Sequence, residues 1–191
     1  MTPIQWQAWG LMVLCLFSVM VLEADVRESR IPNLQVLLAA LSGLSLNTLG
    51  PANGAEGLLS DFPGALGPWK SLAGLALGLL LLLPMYARGV MGAGDVKWMG
   101  VLGAFVGPFE VPGLLLSVLV AGGVLGVARM LLKGQTRAVL QSTLGVLTQS
   151  WAQGRLQAPT QSVDRMPYAL AFAGGLALYV YARHQGMSPL F

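Results

Sequence analysis

Asp25 and Asp95 each stand at the end of a long apolar segment, in a chain with only eight acidic residues among 191. Asp25 opens the run Asp25-Val26-Arg27-Glu28-Ser29-Arg30-Ile31-Pro32-Asn33, and Asp95 lies in Gly92-Ala93-Gly94-Asp95-Val96-Lys97. Carboxylates are expensive next to lipid, so two at one membrane face call for a chemical reason. A carboxylate pair can hydrolyse an amide. One member, ionised, takes a proton from water. The other, protonated, hydrogen-bonds the carbonyl under attack. Two carboxylates in one site resist double ionisation, so one holds its proton and the two titrate as a unit. Gly92 and Gly94 would let a substrate backbone approach. Lys97, two residues on, is placed to orient or tune Asp95.

Each residue also fits a simpler role. Asp25 alone is a suitable topological anchor at a helix end, and Asp95 alone a suitable N-cap for the helix after it. Arg27, Arg30 and Lys97 serve as positive-inside markers, and Pro32-Asn33 as the first turn of a helix. Glu23 and Glu28 rival Asp25 by spacing.

The elements that must position these groups are membrane helices. Hydrophobic residues make up 55 % of the chain, charged residues 10 %, and mean hydropathy is +0.68, whereas a soluble domain is about a quarter charged. Apolar segments fall at about 6–24, 34–50, 69–87, 96–110, 112–132 and 168–184. The expectation is an all-α, polytopic, single-domain protein over residues 1–191 with about six transmembrane helices. Nine of the eleven basic residues fall in or beside the first, third and fifth loops, leaving Lys70 and Arg183 for the other side. The positive-inside rule then makes the loops at about 25–33, 88–97 and 133–166 cytoplasmic and puts both termini outside. Asp25 and Asp95 share the cytoplasmic face, with the Gly92-x-Gly94 backbone non-helical ahead of the fourth helix. In the fifth loop, Leu140, Leu144, Leu147 and Trp151 repeat at helical spacing and predict an interfacial amphipathic helix.

The basic excess (sequence pI about 9.4) reads as topology rather than as nucleic-acid binding. One cysteine, Cys15, and one histidine, His184, speak against a disulfide, a thiolate cluster or a His-based metal site, and no metal or cofactor is expected. With no Lys or Arg before the first apolar run, that segment is expected to be retained rather than cleaved as a signal peptide.

Asp25 followed by Arg30-Ile31-Pro32-Asn33, and then Gly92-Ala93-Gly94-Asp95-Val96-Lys97, resembles the type IV prepilin peptidases, membrane aspartyl proteases of the GxGD type. Met166-Pro167-Tyr168-Ala169-Leu170-Ala171-Phe172-Ala173-Gly174-Gly175 resembles the start of the last helix in short members of that family. The resemblance implies Asp25 and Asp95 as the catalytic pair. It also implies Gly92, Gly94, Lys97, Arg30 and Asn33 as residues that position substrate or support the pair. Its implied substrates are type IV prepilin-like precursors, cut at the cytoplasmic face of the bacterial inner membrane. Long members carry a first-loop insert with paired CxxC motifs and also N-methylate the product. This chain has neither the insert nor the motifs, so it resembles the short, peptidase-only form found with Flp/tight-adherence pili. The competing readings are a non-catalytic polytopic assembly subunit of a pilus or secretion system and, more remotely, a proton-coupled transporter using Asp95.

Overall fold

The computed structural model describes residues 2–28, 30–51, 57–60, 63–89, 91–132 and 168–185. Among the described residues there are six α-helices and no strand beyond one isolated bridge between Gly57 and Gly64. The helices are α1 (Pro3–Glu28), α2 (Asn33–Leu49), α3 (Pro68–Ala87), α4 (Ala93–Val106), α5 (Val111–Leu132) and α6 (Tyr168–His184). The protein is all-α, as its hydropathy pattern requires. Three helices, Pro3–Glu28, Pro68–Ala87 and Val111–Arg129, are long and apolar enough to cross a bilayer, and Asn33–Leu49 is a shorter apolar helix. The segment holding Leu140, Leu144, Leu147 and Trp151 lies outside the described residues.

The fourth helix departs from expectation. The apolar segment spans about 96–110, but the helix runs Ala93–Val106. It starts earlier because Gly92 is the extended residue before it (φ −73°, ψ 151°) and Ala93 and Gly94 are already helical. It stops earlier because Gly107 turns the chain at φ 86°, with its N–H on Gly103 O at 2.8 Å.

α4 is the axis of the fold. Eleven of its fourteen residues are buried, among them Trp98, Met99, Leu102 and Phe105, so it is apolar all round. Its most extensive contacts are with α3, followed by α2, and α5 and α6 form a second close pair. Glycines let α3 and α4 meet backbone to backbone. A Cβ on Gly74 would overlap Gly103 O, and one on Gly78 would sit 2.5 Å from Met99 O. Leu16, Val19, Leu37, Leu41, Leu119, Val124 and Val127 point outward from α1, α2 and α5, as lipid-facing residues do.

The C-terminus of α4 is tied off by side chains from its neighbours. Asn47 Nδ2 donates to Ala104 O (2.9 Å) and Phe105 O (3.1 Å), while Asn47 Oδ1 accepts the Leu66 N–H (3.2 Å). Ser71 Oγ donates to Ala104 O at 2.7 Å. Both side chains are buried, and they satisfy carbonyls that a helix end leaves without partners. Asn47→Ala is therefore expected to destabilise the protein by about 2–4 kcal/mol. Equilibrium unfolding in mixed detergent would measure this, and wild-type stability would refute the role of Asn47. At the same end, the turn before α5 is bound to α6. Glu110 pairs with Arg183 at 3.0 Å and accepts the Tyr179 hydroxyl.

Candidate active site

Asp25 lies in the last turn of α1, beyond its apolar stretch, and is half-buried. Its Oδ2 accepts the Ala169 N–H at 3.0 Å. Ala169 is the second residue of α6, so this N–H is one of the amides that a helix start leaves without an internal partner. A carboxylate there completes the hydrogen bonding and faces the positive end of the helix dipole.

Asp95 lies in the first turn of α4, ahead of the apolar run that begins at Val96, and is only 7 % exposed. It is not the N-cap. It sits three residues inside the helix and reaches back, its Oδ2 accepting the Gly92 N–H at 3.2 Å. That contact fixes one oxygen of the carboxyl against the backbone. Burial and the charge of Asp25 push the Asp95 carboxyl up to about 6, with the Gly92 N–H opposing them. Desolvation is the larger cause. Asp25, far from it in sequence, therefore lies near enough for its charge to act on Asp95.

The other residues singled out by sequence are placed unequally. Lys97 does not reach Asp95; its Nζ donates to Asn33 Oδ1 at 2.8 Å. Gly94 is not open to a substrate backbone, because a Cβ there would meet the Ile31 side chain at 3.2 Å. Ile31 over Gly94 and Asn33 on Lys97 together seat the first loop on the start of α4. Gly92 is exposed and gives its N–H to Asp95. Arg30 is exposed. The rival acids are elsewhere: Glu23 is exposed and pairs with Arg27 at 3.0 Å, and Glu28 is exposed. Among the described residues, no three of His, Cys, Asp and Glu gather in a group that could hold a metal ion.

Two contacts have no local signature: Ile31 against Gly94, and the Ala169 N–H on Asp25. For the second, Pro167 just ahead of Ala169 is a sequence signal that the N–H groups of a helix start follow.

Helices of spanning length packed round a buried α4 define a polytopic membrane protein. Residues 12–127 match the type IV leader peptidase family, and the chain belongs to that family. Its function is accordingly of the leader peptidase type. No curated protein and no solved structure matches the chain.

Proposed function

We propose that this chain is a membrane aspartyl endopeptidase that removes the leader from type IV prepilin-like precursors, with Asp25 and Asp95 as its catalytic pair. The observation that carries the reading is the buried Asp95 carboxyl, pinned by Gly92 and opposed by the charge of Asp25. One proton shared by that pair supplies both a base for water and a donor for the scissile carbonyl. Gly92 and Asn33, with Lys97 held on Asn33, keep the first loop and the start of α4 in register around the pair. Arg30 lies exposed beside them, within reach of an entering substrate.

The whole chain, 1–191, acts as one membrane-embedded peptidase domain of the bacterial inner membrane. Its loops at about 25–33, 88–97 and 133–166 face the cytoplasm, both termini lie outside, and cleavage occurs next to the cytoplasmic leaflet. It is the short form, without N-methyltransferase activity and without a metal or cofactor. The partners are prepilin-like precursors and the bilayer.

The test is leader removal from a panel of prepilin-like precursors by purified protein in liposomes. Cleavage at the leader boundary is the expected result. Folded protein that cleaves none of the panel would favour the assembly-subunit reading.

A pH dependence follows from the same pair. Asp95 holds its proton below about 6 and loses it above. Once both carboxyls are ionised, no proton is left for the scissile carbonyl. The basic limb of kcat/KM is therefore expected near pH 6, with cleavage falling about tenfold per unit above it. A profile flat from pH 5 to 8 would contradict the shared-proton mechanism.

A further inference from the structure

We propose that Gln35, at the start of α2, is a substrate-binding residue whose side-chain amide oxygen accepts a backbone N–H of the extended substrate segment at the cleavage site. This rests on the peptidase reading above.

Gln35 Oε1 is buried and has no hydrogen-bond partner among the described residues. The local sequence explains why. Pro32 is the extended residue ahead of α2, and the first helical bond runs from the Val36 N–H to Pro32 O at 3.3 Å. Gln35 is therefore the third residue of the helix, where a glutamine oxygen ordinarily reaches back to the N–H of the residue before the helix. Proline has no N–H to give. Asp95 holds the same place in α4, and there the residue before the helix is Gly92, whose N–H the Asp95 carboxyl accepts. Two helix starts of like pattern thus differ in one respect: the side-chain oxygen in α4 has its donor and the one in α2 does not.

The two starts lie side by side. Asn33, the first residue of α2, accepts Lys97 Nζ at 2.8 Å, and Ile31 covers Gly94, the residue before Asp95. Ala39, Gly43 and Asn47 follow Gln35 at intervals of four and are the buried residues of α2, so Gln35 continues their stripe. That stripe faces α4: Gly43 packs on Phe105, and Asn47 binds the Ala104 and Phe105 carbonyls. The oxygen without a donor is on the side of α2 turned to α4, at the end that carries Asp95.

A buried acceptor left unpaired costs stability, and its presence beside a site calls for a donor that arrives from outside. The substrate brings one. A helical segment bonds its own N–H groups, whereas a segment opened for cleavage is extended, and at the edge of a bilayer each N–H it uncovers needs an acceptor. The glutamine amide suits the task. It is neutral, so covering it costs less than covering a carboxylate. Gln35 as a whole is half-buried and its terminal torsion is soft, so the oxygen can turn to meet an incoming strand.

The test is an ester scan of a precursor peptide spanning the leader boundary, with each backbone N–H flanking the scissile bond replaced in turn by an ester oxygen. At one position the change is expected to raise the wild-type KM about tenfold, the size of one neutral hydrogen bond, with kcat little altered. Gln35→Met, of like length but without the amide, is expected to show that raised KM with the all-amide peptide and to lose nothing further from the ester at that position. It should also melt no lower than wild type, since it removes an unpaired buried oxygen. A role confined to the fold would lower the melt and leave the ester effects as they are in wild type, so equal ester losses in the two proteins would overturn the proposal. Should Gln35→Met fail to fold, Gln35→Leu takes its place in the scan, and failure of both would show that the fold itself needs the amide and would overturn the proposal as well. If wild type cleaves no precursor, the peptidase reading falls and this proposal with it. If wild type cleaves and the ester losses are equal, the peptidase reading stands and this proposal alone falls.

Discussion

Asp25→Asn and Asp95→Asn are each expected to reduce leader cleavage by about 10²–10⁴-fold. The substitutions are chosen so that the fold survives. An Asn at position 25 still offers an oxygen to the Ala169 N–H, and one at position 95 still offers an oxygen to the Gly92 N–H. What each removes is a titratable group. Without Asp25 there is no charge opposing Asp95 and no partner to share its proton; without Asp95 the pair loses its buried acid. Two groups that act as a unit are not additive, so the double variant should be no slower than either single one. Initial rates in liposomes, with a thermal melt of each variant to show that it folds, make the measurement. A folded variant within tenfold of wild type would remove that aspartate from the catalytic pair.

The second large effect is on the fold. Gly74→Val and Gly103→Val are expected to yield no stable, monodisperse protein. A Cβ on either glycine overlaps the carbonyl oxygen of the other, and a backbone carbonyl cannot swing aside as a side chain can. α3 and α4 would have to part along their most extensive contact. Overpacking of an interior typically costs about 1–3 kcal/mol; here the strain falls on the central helix, the one that carries Asp95. Gly123 is the control, since a Cβ there meets nothing within 4 Å. Gly123→Val should purify and melt like wild type. Wild-type melting of Gly74→Val would show that the helices can separate without loss, contrary to the packing described.

Most of the helical architecture was legible in the apolar segments, because a spanning helix has to be apolar along its length and bounded by polar or turn residues. The start of α3 at Pro68 follows from proline pre-setting the first turn, whereas Pro32 is the extended residue just ahead of α2 (φ −61°, ψ 132°), one position outside the helix. α4 differs from its apolar segment at both ends. Gly92-Ala93-Gly94 looks like a break by propensity, yet Ala93 and Gly94 are helical, with Ile31 filling the space beside Gly94. Glu110 looked like the end of the helix, but the chain had already turned at Gly107. Local pattern sees neither, because both depend on what packs alongside.

The site divides along the same line. That Asp25 and Asp95 are rare acids at apolar boundaries, with the basic residues gathered in alternate loops, is a property of the sequence, since composition and spacing suffice to show it. Sequence also bounded the protein as an all-α membrane chain, because its long apolar segments and its 10 % of charged residues suit a bilayer rather than water. Only the packed structure decided that Glu23 and Glu28 are exposed while Asp25 is half-buried and its charge acts on Asp95. It also decided that Lys97 serves Asn33 rather than the acid, and that the start of α6 closes on Asp25. These are contacts between residues far apart in the chain, so no local pattern encodes them. They follow from α4 being buried among its neighbours, which fixes where each helix end lies.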